Sequence, residues 1–355
     1  MRICLNLSQI VQSVQDTSEP PSFKDHSIYA GHAVSGHGKR RRISAPNAAM
    51  QSVHQQFLAK LRERNIQCPS ATGCKAGNSP LKNVLRHRIE KGRDGKPGFS
   101  QYFYLLDLKS AYESVRAYTL AQCLILHFPD DDFEEVHDFV SLYCIRSGDN
   151  GLYAGAPSSP DLFNIYCEHY LDAPLRKIAK KHDITYTRYL DDLTFSSTSP
   201  IGHRKRDQIC DSLRDAGFDI SHGKTKILDM SKGEIAINGI GLHPDGSTYL
   251  PRKNAEQISS LLHRAVSTLS PLIKNAQREH NSAAQMEIKR QIRNAHATLI
   301  SLVNGKMGLY FGSSGKGIAK SSLDRKIRLR YADFKRLQAS LYPQAKKKGQ
   351  KRAAA

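Results

Sequence analysis

The chain has 355 residues, 39% of them hydrophobic and 24% charged, long enough to bury a substantial core as two or three subdomains and to act as an enzyme by itself. Its apolar runs are short and interrupted, and Met1-Arg2-Ile3-Cys4 opens a mixed segment, so neither a spanning helix nor a signal-type apolar stretch is expected and a soluble cytoplasmic protein, with no membrane partner, is the simplest reading. Seven cysteines with no CxxC pair argue against a disulfide framework or a structural zinc site and read as reduced thiols.

In chain order, residues 1–35 mix polar and Pro-containing sequence and read as an N-terminal extension. Gly36-His37-Gly38-Lys39-Arg40-Arg41-Arg42-Ile43 reads as a basic turn entering a strand that Pro46 closes. Residues 47–64 read as a helix, with Val53, Phe57 and Leu61 four apart and Leu58 on the same face. A Gly-rich loop at 92–98 precedes Tyr102-Phe103-Tyr104-Leu105-Leu106, an apolar β-prone run that delivers Asp107 at or near its C-terminal end. A Gly/Pro/Ser turn at 152–159 leads into a helix over 161–179, with Asp161 near its N-terminus. Residues 186–196 read as two short strands hinged at Asp191-Asp192 and flanked by Tyr189, Leu190, Leu193 and Phe195. Residues 203–216 read as helix, 234–250 as another hairpin, and 251–340 as mostly helical with a break at 312–317. A basic tail closes the chain over 341–355. The sum is an α+β body followed by a basic helical domain.

The net charge of +20 is unevenly placed. Residues 251–355 hold 22 Lys and Arg against 5 Asp and Glu, a surplus of +17 that leaves +3 for the first 250 residues. Such a surplus suits a polyanionic partner, because cations that neutralise phosphates release condensed counterions; the alternative is a solvated basic surface that aids solubility. Tyr310, Phe311 and Tyr331 sit among these basic residues, where they suit either stacking on bases or packing in the core.

The acidic residues suggest a chemistry. Joining a nucleotide to a growing strand is an in-line displacement at phosphorus, served by two metal ions about 3.5 to 4 Å apart. Mg²⁺ takes hard oxygen ligands, commonly one or two carboxylates together with substrate phosphates. Asp107 and Asp191 lie 84 residues apart, yet each closes a β-prone segment, and adjacent strands of one sheet bring such ends together. By itself the Asp191-Asp192 pair also fits a solvated tight turn, where Asp is favoured anyway.

Six motifs in fixed order separate these readings. Gly38-Lys39-Arg40-Arg41-Arg42-Ile43-Ser44-Ala45-Pro46 fits a G-K-x-R-x-I-x-x-P pattern. Gly77-Asn78-Ser79 is followed by Asn83 and His87, with Val84 where Ala is usual. Asp107-Leu108-Lys109-Ser110-Ala111-Tyr112 and Gly155-Ala156-Pro157-Ser158-Ser159-Pro160-Asp161-Leu162-Phe163-Asn164 come next. Tyr189-Leu190-Asp191-Asp192 follows, then Ser221-His222-Gly223-Lys224-Thr225. Ile237-Asn238-Gly239-Ile240-Gly241-Leu242 adds a later hairpin, with Asn where relatives often carry Thr. Across roughly residues 30–250 the chain resembles prokaryotic reverse transcriptases, most of all the retron-type and defence-associated group.

The resemblance implies a right-hand polymerase fold: fingers over 36–100, a palm with an antiparallel sheet and a YxDD hairpin over 101–250, and a helical basic thumb over 251–340. It implies Asp107, Asp191 and Asp192 as catalytic ligands of two Mg²⁺ ions and Lys224 as a general acid toward pyrophosphate, with Lys226 close enough in sequence to be confused with it. Lys39 and Arg41 are implied to bind the incoming triphosphate. Leu108, Tyr112 and Gly155 are implied to shape the nucleotide pocket, with the Tyr112 ring set against a 2′ hydroxyl. Asn83 and His87, if helical, share a face suited to structural hydrogen bonding. The implied function is RNA-directed DNA polymerisation, with an RNA template and a DNA product, a cognate noncoding RNA, and an effector protein in an antiphage defence system. One position departs: the family usually has Gln before the Gly155 position, and here it is Ala154. That departure motivates a second reading, template-independent or protein-primed synthesis at the same site. A third reading is a non-catalytic RNA-binding scaffold.

Overall fold

The computed structural model describes residues 4–15, 19–30, 39–75, 77–90, 97–146, 151–279, 282–314 and 321–341. The turn at 36–38, most of the 92–98 loop, residues 315–317 and the tail from 342 lie outside the described residues. The chain divides into two units, Met1–Gly233 and Glu234–Ala355.

The first unit starts with a short helix α1 (Leu7–Gln12). Leu5, Leu7, Ile10 and Val14 belong to the main core, so this part of the N-terminal extension is built into the fold. The Leu5 amide donates to both carboxylate oxygens of Asp131, at 3.1 and 3.0 Å. Strands β1 (Phe23–Ala30) and β2 (Lys39–Pro46) pair antiparallel, with Phe23 opposite Pro46 and Ala30 opposite Lys39. Helix α2 (Ala48–Glu63) begins where the Asn47 side chain accepts the Met50 amide at 2.9 Å, and buries Val53, Phe57, Leu58 and Leu61 as their spacing predicts. Just past its end Asn65 takes a φ of 51°, a left-handed conformation that Asn tolerates. Helix α3 (Pro80–Leu85) is capped by Ser79 and stops before His87, so Asn83 and His87 do not share a helix face as the sequence suggests. Strands β3 (Arg88–Ile89) and β4 (Gly98–Phe99) form a minimal pair.

Strand β5 (Tyr102–Lys109) is followed by helices α4 (Ala117–His127) and α5 (Phe133–Phe139), the latter running into a π-helical turn over Val140–Cys144. The helix expected over 161–179 is present but composite. It consists of α6 (Ser159–Cys167), a π-helical turn over Glu168–Asp172, and α7 (Ala173–Lys181). Strands β6 (Thr185–Tyr189) and β7 (Asp192–Ser197), helix α8 (His203–Asp215), and strands β8 (Asp219–Ile220) and β9 (Lys226–Asp229) complete the unit.

The sheet runs β6-β7-β5-β8, with β9 also paired to β5, and every pairing is antiparallel. Strand β5 is therefore hydrogen-bonded along both edges. It also carries buried side chains on both faces, Phe103 and Tyr104 among them, which explains why its sequence is an almost unbroken apolar run rather than an alternating one. Leu106, Leu108, Leu193 and Phe195 join side chains of α2, α4, α5, α6 and α7 in one core.

The second unit opens with strands β10 (Ile235–Ile237), β11 (Ile240–Leu242) and β12 (Thr248–Tyr249), which form a small antiparallel sheet. Asn238 and Gly239 make the first turn with φ values of 49° and 81°, as a two-residue hairpin with Asn-Gly requires. These strands belong with the helices that follow them rather than with residues before 234. Helices α9 (Arg252–Arg278), α10 (Ser282–Ser314) and α11 (Ser322–Leu341) pack around Ile258, Leu261, Leu262, Leu269, Val303 and Phe334. The expected break at 312–317 needs correction, because α10 stays helical through Gly312 to Ser314, and an unanticipated interruption follows Arg278. Tyr310 is buried in this core, with Phe311 and Tyr331 packed against it, so the packing alternative holds for Tyr310. Among the described residues no helix is long and apolar enough to cross a membrane. The seven cysteines are all free.

Candidate active site

The register of the sheet closes the 84-residue separation. Asp107 on β5 is the direct partner of Asp192 on β7. Opposed residues of an antiparallel pair project to the same face with Cα atoms roughly 4.5 to 5.5 Å apart, so these two carboxylates share one face. Asp191 lies in the turn between β6 and β7, and its carbonyl accepts the Leu108 amide at 2.9 Å, which ties the turn to β5. On the other side of β5 the Ser221 amide donates to the Asp107 carbonyl at 2.8 Å. One 3₁₀ turn (His222–Lys224) then directs Lys224 back, and its ammonium lies 2.6 Å from Asp107 Oδ1. Lys226 is distinguished from it by position: it sits in β9 opposite Leu105.

Among the described residues no three His, Cys, Asp or Glu side chains form a group able to hold a metal ion by themselves. The carboxylates present still suit a hard divalent cation, because Mg²⁺ commonly takes one or two carboxylates and completes its shell with water and substrate phosphate. The Lys224 ammonium at Asp107 shows that a cation is already accommodated on this face.

The turn itself is strained and braced. Leu190 has a φ of 57°, a left-handed conformation that costs a residue without a polar side chain about 1 to 3 kcal/mol. Arg188, two residues earlier, is fully buried and pairs with fully buried Asp172, with Nη2 to Oδ2 at 2.7 Å and Nε to Oδ1 at 2.9 Å. Its Nη1 donates to the Asn164 side-chain oxygen and to the Leu190 carbonyl, both at 3.1 Å. Tyr186 donates its hydroxyl to Asp172 Oδ1 at 2.7 Å. Burial by itself would lower the Arg188 pKa, but Asp172 beside it holds it well above the usual range.

The Arg188 backbone is used as well. Its amide donates to Ser70, and its carbonyl accepts from both the amide and the hydroxyl of Thr72, at 2.8 and 2.9 Å. The loop at 70–73 thereby covers the open edge of β6. A Cβ at Gly73 would fall 2.8 Å from the Leu190 nitrogen, so only glycine permits this approach. Sequence reasoning assigned no role to Arg188, Asp172, Thr72 or Gly73. The available signal was an arginine inside a β-prone run, a residue that needs a partner when buried.

The expected nucleotide-pocket residues fall in different states. Leu108 is buried and contributes its amide to the Asp191 carbonyl. Tyr112 lies in the turn after β5, its ring 5.2 Å from that of Phe163, and its phenol pKa is raised by burial and then by Cys74 and Asp191 nearby. The Tyr112 carbonyl accepts the Leu152 amide at 3.0 Å. Gly151, with a φ of 110°, packs so closely on this turn that a Cβ would fall 2.4 Å from the Glu113 Cα. Gly155 has a φ of 118°, and a Cβ there would fall 2.7 Å from the Ser44 carbonyl oxygen of β2. Lys39 and Arg41 lie on that same strand, while their side chains are outside the described residues. His87 bonds Ser196 Oγ at 2.7 Å and Thr187 Oγ1 at 2.8 Å, and burial depresses its pKa to about 3, so it is a neutral structural bridge. The Asn83 side-chain oxygen lies 2.8 Å from the Thr72 hydroxyl, whose one proton it shares with the Arg188 carbonyl.

Residues 30–254 match the family described as reverse transcriptase (RNA-dependent DNA polymerase), which is more than half of the chain. The chain belongs to the reverse transcriptase family. That family generally uses divalent metal ions. Similar members include the retron Mx162 reverse transcriptase of Myxococcus xanthus, 28% identical over 257 residues that span 64% of this chain and 50% of the relative. The retron Mx65 reverse transcriptase of the same organism is 25% identical, over 64% of this chain and 53% of the relative. The retron Ec83 reverse transcriptase of Escherichia coli is 24% identical, over 63% and 71%. The chain thus spans about half the length of the two Myxococcus relatives. Among solved structures, apo telomerase from Candida tropicalis is similar at a TM-score of 0.47 and 12% identity, over 90% of this chain and 65% of that one. Telomerase from Candida albicans in complex with a fragment of telomeric RNA is similar at 0.46 and 10%, over 91% and 64%.

Proposed function

We propose that the chain is an RNA-directed DNA polymerase whose reaction takes place at Asp107, Asp191 and Asp192. The observation that carries this reading is the pairing of Asp107 with Asp192 beside the 189–192 turn, within a segment that matches the reverse transcriptase family. Asp107, Asp191 and Asp192 would hold two Mg²⁺ ions, which would supply activation of the 3′ oxygen and charge stabilisation for the leaving pyrophosphate. Lys224, whose ammonium meets Asp107, gives a proton to the leaving phosphate in this reading. Lys39 and Arg41 on β2 hold the triphosphate. Leu108 and Gly155 shape the pocket, and Tyr112 excludes the 2′ hydroxyl and selects deoxynucleotides. In these terms residues 36–100 are fingers, the expected palm of 101–250 keeps its sheet within 101–233 while its last hairpin groups with the following helices, and 251–340 are a thumb whose basic helices follow the phosphate backbone.

With three retron reverse transcriptases among its relatives, the chain copies a cognate noncoding RNA into DNA, and the resemblance of its motifs adds an effector protein in a cytoplasmic antiphage system. Ala154 gives little support to untemplated synthesis. What it contributes is a carbonyl that accepts the Ser44 amide at 2.8 Å, which Gln would supply equally.

Deoxynucleotide incorporation on an RNA template in Mg²⁺, measured for the protein and for Asp191→Asn with Asp192→Asn, tests the reading. The double variant is expected to lose at least about a thousandfold, the equivalent of several kcal/mol of transition-state stabilisation. Undiminished incorporation would sink the site assignment, and a product of random sequence would sink the template.

A further inference from the structure

We propose that Arg188, with Asp172 and Asn164, forms a positioning device that sets the placement of Asp191 and Asp192 and thereby the affinity of this face for divalent cations. The consequence for catalysis rests on the polymerase reading, whereas the geometry stands without it.

A buried ion pair is a poor explanation for stability alone, because apolar side chains of similar volume commonly stabilise as well or better. What an apolar replacement cannot reproduce is direction. The Arg188 guanidinium presents its donors in a fixed planar fork. Asp172 accepts from Nε and Nη2, and the Tyr186 hydroxyl donates to the same carboxylate. The orientation of the fork is therefore set before Nη1 reaches Asn164 and the Leu190 carbonyl. Leu190 is the one residue of the 189–192 turn with a positive φ, and its side chain has no polar atom with which to hold that conformation.

Two further contacts close the arrangement. Asn164 donates its amide to the Gly73 carbonyl at 3.1 Å, and Gly73 lies against the Leu190 nitrogen. The turn is thus packed closely by Gly73 at the Leu190 nitrogen and hydrogen-bonded by Arg188 at the Leu190 carbonyl, while the Asp191 carbonyl accepts from Leu108. Asp172 comes within reach of Arg188 at the end of the π-helical turn Glu168–Asp172, a local widening that re-aims side chains and is frequent at functional sites. Thus Asp172 and Asn164 act on the carboxylates only through Arg188 and the turn, as partners behind metal-binding groups commonly do.

Two variants of the full chain test this. Arg188→Met with Asp172→Leu and Tyr186→Phe replaces the buried ion pair and its tyrosine partner by apolar side chains and leaves Asn164 bonded to Gly73. Arg188→Lys keeps the charge but cannot span Asp172, Asn164 and Leu190 together. Mn²⁺ binding is followed by electron paramagnetic resonance, with Asp191→Asn/Asp192→Asn defining the background. Hydrogen exchange of the amides at 190–193 is followed in metal-free protein. The expected result is a cooperative melt in the triple variant, faster exchange at 190–193 in both variants, and Mn²⁺ affinity reduced by about 10- to 100-fold. The Mg²⁺ concentration for half-maximal incorporation is expected to rise by a similar factor. Wild-type Mn²⁺ affinity and wild-type exchange in either folded variant would overturn the proposal. An absence of incorporation by the unaltered protein would overturn the polymerase reading instead, while the Mn²⁺ and exchange results still decide this one.

Discussion

In the first unit the fully buried side chains include Arg188, Thr187 and Ser196 on β6 and β7, Asp172 of the π-helical turn, Asn83 of α3, and His87 just after it. In the second unit the buried polar side chains among the described residues are Ser259 and His296, and the interior is otherwise aliphatic and aromatic. Apolar contact is nondirectional and fills space, so a helical core tolerates small shifts of its members. Hydrogen bonds to a buried charge are directional and costly to leave unmade, so they hold atoms in one place. Carboxylates that must share metal ions need the second kind of support. A surface that attracts a polyanion through its charge needs only the first.

The largest effect that would break this contrast is in the polar group. Arg188→Ala leaves Asp172 buried without its cation and is expected to cost about 3 to 5 kcal/mol in urea unfolding of the first unit. A loss below about 1 kcal/mol would show that the pair is dispensable to the fold.

A smaller effect comes from acid. Burial holds the pKa of His87 to about 3 and of His54 to about 4, against an ordinary value of 6.5. Between those values and 6.5 the unfolded chain binds more protons than the folded one, so stability falls as the pH falls through that window. At pH 5 each histidine is expected to cost about 2 kcal/mol relative to pH 7, which unfolding curves at the two pH values would show. His87→Gln should remove about half of this dependence, and an unchanged slope would rule out His87 as a source.

The smallest effect belongs to the second unit. Leu262→Met exchanges shape at nearly constant volume in the core around α9 and is expected to cost less than about 1.5 kcal/mol by calorimetry. A loss comparable to that of Arg188→Ala would mean that this interior is as exacting as the other.

The sequence made Asp107 and the 189–192 turn legible because both are written locally: an apolar run ending in Asp, and two β-prone segments around an Asp pair. The helix at 47–64 was legible from the spacing of its apolar residues, and the one at 203–216 was expected within the same bounds to a residue. What holds the turn was not. Asp172 and Arg188 are 16 residues apart in sequence, and the π-helical turn that aligns them leaves no residue pattern. His87 bonds residues more than 90 positions away across the sheet, so no local signal ties it to Thr187 or Ser196. In the second unit, α10 runs through Gly312 despite the low helix propensity of glycine, and of the two roles the sequence left open for Tyr310 it is core packing that the structure shows.

The junction of β2 with residues 154 and 155 separates two constraints that adjoin in the chain. The strand is fastened through the carbonyl of Ala154, an atom that every amino acid carries, and through the missing side chain of Gly155, which no other amino acid can imitate. Position 154 is therefore free to change the chemistry of its side chain without loosening the strand that bears Lys39 and Arg41. Position 155 has no such freedom, so the two neighbours are held to very different standards by one and the same contact.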